Sequence, residues 1–216
     1  MNNENIRIEK LRKMLPKGFG AAIITTAENR FYFTGLDTSD AGTLIVFEND
    51  SYFIIDSRYI EICQRQNNGI VMTLQAKLYE QVTALLSKHN VKEVFLENKI
   101  SIFEYNNFCK KVKANFFADD TLTNAIEALR MVKDEKELQN IFEAQEITDD
   151  AFNYILTEIK VGKTERELQL KLDYFMLTHG ATGLAFDTIL ISGANTSLPH
   201  GVPSDKKIEK GDFVTM

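Results

Sequence analysis

The apolar residues of this chain keep two different rhythms, and the change between them limits the folds open to it. Up to about residue 120, short β-like runs alternate with helical stripes; beyond it the helical period holds through residue 179. In the first part a helical stripe at 6–15 is stopped by Pro16, and 20–25 is β-like. Runs at 43–48 and 52–55 flank Asn49-Asp50-Ser51 as a hairpin. Residues 57–66 look helical, 70–74 extended, and 77–89 form an amphipathic helix with Leu78, Val82, Leu85 and Leu86 on one face. Val94-Phe95-Leu96 is β-like, Ser101 and Glu104 make a capping box for a helix through Cys109, and 115–118 is a further strand. Strands alternating with helices, with a hairpin among them, predict a mixed α/β sheet covered by helices.

The second part has another grammar. Residues 121–131 are helical, and Asp134 with Glu137 is a capping box opening a long helix striped by Leu138, Ile141, Ala144, Ala151, Ile155 and Ile159. Gly162 closes it; Thr164 with Glu167 caps a helix running to His179 and Gly180. Residues 184–191 are mainly β-like, 192–210 form a polar loop, and a last strand starts at Asp212. The boundary between the parts is expected at 120–125, giving domains of 1–122 and 123–216 without a flexible linker. The final Phe213-Val214-Thr215-Met216 reads as the start of an apolar strand, and the expectation is that the polypeptide belongs to a longer protein.

At 216 residues, 44% of them apolar, the chain can bury a core without staples. A net charge of −6 argues against a nucleic-acid binder, which would carry a basic face. No apolar run reaches membrane-spanning length and the first residues lack signal-peptide character, so the expected location is the cytoplasm, with no membrane partner. Cys63 and Cys109 have no redox or metal spacing and are expected to be reduced and mostly buried.

Few residues stand out chemically. His89 and His179 close helices, where an imidazolium suits the dipole, and both read as structural. His200 differs: it lies in a loop, Pro199-His200-Gly201-Val202-Pro203, restricted by two prolines, with a glycine that would allow close backbone approach to a ligand. Asp187 is a polar residue in a β-like run, and Asp119-Asp120 and Asp149-Asp150 read as solvated. No cluster of His, Asp and Glu could hold a metal by itself, so no metal ligand is expected within 1–216.

Taken together, several segments resemble a known family. Gly183-Leu184-Ala185-Phe186-Asp187-Thr188-Ile189-Leu190-Ile191-Ser192-Gly193, Pro199-His200-Gly201 and Lys210-Gly211-Asp212-Phe213-Val214 are similar to the pita-bread metallopeptidases, in the branch of Xaa-Pro aminopeptidases and prolidases. Leu129-Arg130-Met131-Val132-Lys133-Asp134-Glu135-Lys136-Glu137 resembles the start of that family's catalytic domain, and Val161-Gly162-Lys163-Thr164-Glu165 its helix connection. Phe33-Thr34-Gly35 and Asp56-Ser57-Arg58-Tyr59 resemble its creatinase-like N-terminal domain.

The resemblance implies a creatinase-like mixed sheet with flanking helices, then the first part of an α+β pita-bread domain. It implies a metal-dependent peptidase that cleaves before proline in peptides with proline at the second position, uses two divalent ions (manganese, cobalt or zinc), and forms a homodimer. The proline amide carries no hydrogen, so proteases that grip an extended substrate N–H are ill suited to it. By position, His200 is implied as a catalytic and substrate-contacting residue and Phe186 as a wall of the substrate pocket; Arg58 and Tyr59 are structural, and residues 36–42 approach a neighbouring subunit's active site. The metal ligands of the family begin where the residue after Met216 would stand, so this chain alone is expected to hold no metal and to be inactive. Two other readings keep the fold: a non-catalytic interaction or dimerisation module, and a metal-independent amidinohydrolase of the creatine-hydrolysing kind.

Overall fold

The computed structural model describes residues 3–65 and 69–216, which fall into two compact units, Met1–Val132 and Lys133–Met216. In the first, a six-stranded sheet has the order β4-β3-β2-β1-β5-β6. Its strands are β1 (Ala21–Ile24), β2 (Thr43–Phe47), β3 (Ser51–Ile55), β4 (Val71–Leu74), β5 (Glu93–Leu96) and β6 (Asn115–Phe117). The pairs β1–β2 and β2–β3 are antiparallel, the latter being the expected hairpin; β3–β4, β1–β5 and β5–β6 are parallel.

The strand period of two divides the core into two layers. Ala22, Ile24, Leu44, Val46, Phe53 and Ile55 share one cluster with α1 (Asn3–Met14), α2 (Ala27–Thr34), α3 (Ile60–Arg65) and α6 (Asp120–Met131), through Ile8, Leu11, Tyr32, Phe33, Cys63, Leu122 and Ile126. Ala21, Ile23, Ile45, Phe47, Tyr52 and Ile54 face the other cluster, built on α4 (Leu78–Lys88) and α5 (Ile102–Lys111) through Val82, Leu86 and Phe108. Strand β1, covered on both faces, is wholly buried and therefore reads as a continuous apolar run.

Buried carboxylate and guanidinium groups fix the turns around β1. Glu97 accepts from the Thr25 and Thr26 N–H groups at 2.6 and 2.9 Å, from the Thr26 hydroxyl at 2.6 Å and from Asn29 Nδ2 at 2.6 Å. Arg30, fully buried, donates to the carbonyls of Ser39, Ala41 and Gly42 and so pins the loop 36–42. Burial pulls its guanidinium pKa below the ordinary value, opposed by Glu97, Asp40 and Glu28.

The second unit contains α7 (Glu135–Glu158), α8 (Glu165–Thr178), the two-residue strands β7 (Ile191–Ser192) and β8 (Val214–Thr215), and a 3₁₀ helix at Gly193–Ser197. Ile155, Leu168, Leu190 and Ile208 form its core, with Ile159, Leu172 and Val214 packed against them. Both helices carry the reciprocal capping boxes expected at Asp134/Glu137 and Thr164/Glu167. The α7 stripe is buried only at its end: Ala151 and Ile155 are covered, whereas Leu138 and Ile141 stay 43% and 50% exposed.

Several expectations are corrected. The units divide between Val132 and Lys133 rather than at 122/123, because Leu122, Ala125 and Ile126 of α6 are part of the first unit's core. Residues 184–191 are not a strand; only Ile191–Ser192 pairs, antiparallel to Val214–Thr215, because β8 offers two residues of partner backbone. The expected helix at 57–66 begins at Ile60, and Gln66 lies outside the described residues. At Ser101 the box is half made: the Ser101 hydroxyl accepts from the Glu104 N–H, but the Glu104 carboxylate takes the Ser101 hydroxyl instead of its backbone. Cys63 is buried as expected, but Cys109 is exposed.

Candidate functional site

The second unit presents a cleft of about 640 Å³ lined by Arg166 and Gln169 of α8, the stretch Phe186-Asp187-Thr188-Ile189, and His200-Gly201-Val202-Pro203. The structure thus brings Phe186 and His200, chosen from sequence, to one cavity, with Asp187 beside them.

His200 sits at the tip of a β-turn, Leu198-Pro199-His200-Gly201, closed by the Gly201 N–H donating to the Leu198 carbonyl at 3.1 Å. Pro199 occupies the position whose φ proline pre-sets. Gly201 also lets the turn pack closely on β7: a Cβ there would lie 2.6 Å from Ile191 Cδ1, so the Ile191 side chain would have to shift. The imidazole is exposed, and among the described residues none hydrogen-bonds it. It is therefore available to donate to a ligand oxygen. Phe186 is 75% exposed and offers an apolar wall to the same space. Two further lining residues are tied to α8: the Thr188 hydroxyl donates to Asp173 at 2.6 Å, and Gln169 donates to the other Asp173 oxygen at 3.2 Å.

Beneath the turn lies a residue that sequence reasoning assigned no role. The Glu165 carboxylate, at the start of α8, is fully buried. Its Oε1 accepts from the Ser192 N–H and hydroxyl at 2.7 and 3.1 Å and from Asn195 Nδ2 at 3.0 Å; Oε2 accepts from the Ser204 N–H and hydroxyl at 3.0 and 2.7 Å. Burial opposes its ionisation, but the bonds from Ser204, Ser192 and Asn195 outweigh it and hold the carboxyl below its usual range. Lys206 Nζ extends the network, donating to the Ser192 hydroxyl at 3.1 Å and to Asp212 Oδ2 at 2.7 Å.

A pH test follows from these directions. A carboxyl held low contributes stability that is complete above its ordinary value of 4.5 and is lost as the pH falls through the lower folded value. Acid titration followed by NMR is expected to move the Ser192 and Ser204 amide resonances together, with a midpoint below 4.5. Asp212, also held low by Lys206, has its own reporter in the Glu209 amide that bonds it at 3.0 Å. A midpoint at or above the ordinary carboxyl value would contradict the network.

The other histidines have structural partners. His89 stacks on Phe47 with centroids 4.0 Å apart and meets the Tyr52 hydroxyl at 3.2 Å; His179 stacks on Phe175 at 3.8 Å, with Nδ1 2.7 Å from the Phe175 carbonyl. Arg58 donates to Asp56 at 2.6 Å, outside the cleft. Among the described residues no group of three or more His, Cys, Asp or Glu side chains is placed to hold a metal. The cleft itself offers one imidazole and one carboxylate, a donor set that does not fit a pair of divalent ions.

Residues 7–132 match the profile of the creatinase/prolidase N-terminal domain. The chain belongs to that family. Residues 139–216, which hold every residue of the cleft, match metallopeptidase family M24. Among the family's members, the Xaa-Pro dipeptidase of Pyrococcus furiosus is 32% identical over 97% of this chain and 59% of its own length. The peptidase YqhT of Bacillus subtilis is 33% identical over 98% of the chain and 60% of its own. In solved structures, the Xaa-Pro dipeptidase from Bacillus anthracis superposes with a TM-score of 0.89 at 32% identity, over 98% of this chain and 59% of that one. The chain therefore spans about 60% of the length of the creatinase/prolidase relatives it matches. The mixed α/β fold expected of its two parts is the fold those relatives share. Among the described residues no helix is long and apolar enough to cross a membrane.

Proposed function

We propose that this chain is the first part of a metal-dependent peptidase that hydrolyses the bond before proline in peptides with proline at the second position. What carries the reading is the family M24 match across residues 139–216, which contains a cleft where an unpaired imidazole and an exposed phenyl ring face the same space. In this reading His200 donates a hydrogen bond to the scissile carbonyl oxygen, and the bond strengthens as negative charge develops there. A turn set by Pro199 and seated on Ile191 holds the donor in place before the substrate arrives, which limits the reorganisation the reaction must supply. Phe186 supplies apolar contact to the substrate. In this proposal the divalent ions that the family implies (manganese, cobalt or zinc) are held by residues other than those of 1–216. Homodimerisation, a cytoplasmic location, and an approach of the Arg30-pinned loop 36–42 to a neighbouring subunit's site belong to the same proposal and rest on family resemblance.

The test uses the complete protein and a Xaa-Pro dipeptide. Turnover is expected, with at least about tenfold loss on chelation and recovery when a divalent ion is restored. Turnover indifferent to chelator removes the metal dependence, and absence of turnover after metal restoration leaves the interaction module and the amidinohydrolase; either outcome rejects the metal-dependent peptidase.

A further inference from the structure

We propose that Glu165 is a positioning residue for the His200 turn, acting as a clasp on both ends of the loop that carries it; its catalytic consequence rests on the peptidase reading above. Residues 193–203 leave β7 at Ser192 and come back to the start of α8 at Ser204, and each end is gripped by a different oxygen of the one carboxylate. Oε1 holds the departing end through the Ser192 N–H at 2.7 Å, and Oε2 the returning end through the Ser204 hydroxyl at 2.7 Å. Asn195 bridges both oxygens at 3.0 and 3.3 Å. The backbone of the same helix turn adds two contacts: the Glu165 N–H donates to the Lys206 carbonyl and the Arg166 N–H to the Ser204 carbonyl, both at 3.0 Å.

The loop's other bonds are short-range or at its flanks: the Leu198 N–H to the Asn195 carbonyl at 3.0 Å, the Gly201 N–H to the Leu198 carbonyl at 3.1 Å and the Gly193 N–H to the Phe213 carbonyl at 2.9 Å. Between its ends only Gly201 and Pro203 are buried, so apolar packing holds the loop at those two points alone. A compact surface loop whose ends are held together is defined by what closes it. Here the closing group is an acceptor facing only donors. A carboxylate satisfies that arrangement with both oxygens; a glutamine of the same shape turns an amide N–H₂ toward one end, where the backbone N–H loses its acceptor and only the hydroxyl, which can accept, is still reached. The clasp also reaches past the loop, because the Ser192 hydroxyl that bonds Oε1 accepts from Lys206 Nζ, which pairs with Asp212 at the approach to β8. The His200 turn and β8 are thereby referred to the same helix end.

The experiment measures Glu165→Gln and Ser204→Ala in the complete protein, each alone and combined with His200→Ala, by steady-state kinetics and by amide exchange read with mass spectrometry. Glu165→Gln is expected to lower kcat by about tenfold or more with KM changed less than about threefold. In the His200→Ala background the same change should cost less than about twofold, because a residue that acts through His200 has nothing left to position. Exchange in peptides covering 196–203 should rise by about tenfold or more while peptides from α7 stay unchanged, which separates local loosening from general destabilisation. Ser204→Ala, which removes one hydroxyl bond, should show the same pattern at smaller size and decides the matter should Glu165→Gln fail to fold. Multiplying kcat losses, or unaltered exchange at 196–203, would overturn the clasp. If the wild-type protein turns over no Xaa-Pro peptide, the peptidase reading falls, and the exchange measurement still decides whether Glu165 holds the turn.

Discussion

Replacing Glu97 with alanine is expected to destabilise the first unit by about 3–4 kcal/mol, because a removed carboxylate leaves several donors and a buried cation without their compensation. Two of those donors, the Thr25 and Thr26 N–H groups, belong to the turn between β1 and α2, and a third, Asn29 Nδ2, to the first part of α2. The cation is Arg30, fully buried and stabilised in its charged form by the field of Glu97. Thr25 and Thr26 are only half-buried, so water recovers part of the loss, and this keeps the figure below the sum of the broken bonds. Glu97→Gln retains the shape and one acceptor, and about half the loss is expected. Urea unfolding followed through the exchange of β1 and β5 amides measures both. A loss under about 1 kcal/mol for the alanine variant would show that solvent replaces the carboxylate and that the turn needs no buried charge.

The same comparison explains what could be read from sequence. Signals within four residues were legible: the capping boxes at Asp134/Glu137 and Thr164/Glu167 form as spaced, and the hairpin pairs across Asn49-Asp50-Ser51. Helix α2 gave no such signal. Its Arg30-Phe31-Tyr32-Phe33 run lacks an amphipathic period, because Arg30, Tyr32 and Phe33 are all buried while Phe31 is 54% exposed. The apolar run at 184–191 misleads in the opposite sense, since a strand exists only where a partner's backbone is alongside, and β8 supplies two residues.

The cleft divides in the same way. His200 was visible because two prolines and a glycine around a histidine are a local pattern, although the glycine proved to serve packing on Ile191. Glu165 was not visible. At the first position of a helix a glutamate reads as a partner of the dipole, and its actual partners lie 27 and 39 residues further along the chain. Glu97 is alike, with donors 68 to 72 residues away. A buried carboxylate that closes a loop has no sequence period, and its acid character alone suggests a solvated surface.

His200→Ala in the complete protein should show what the displayed imidazole contributes: a fall in kcat of about 100-fold or more, with metal content and chain stability preserved. The imidazole is exposed and bonded to no described residue, so its removal breaks no internal bond and opens no cavity. Any loss must therefore arise from what the side chain does to a ligand. Its backbone is held separately, by Pro199, by the Gly201–Leu198 bond and by the seat on Ile191, and the turn should survive the substitution. If the hydrogen bond forms mainly as the carbonyl oxygen gains charge, kcat and kcat/KM fall together. If it serves ground-state binding instead, KM rises at constant kcat. His200→Gln, which keeps an N–H donor of similar reach, should recover part of kcat, whereas Phe186→Leu should act chiefly on KM by thinning the apolar wall. An unchanged kcat in His200→Ala would reduce the residue to scaffold and move the oxyanion donor to another group.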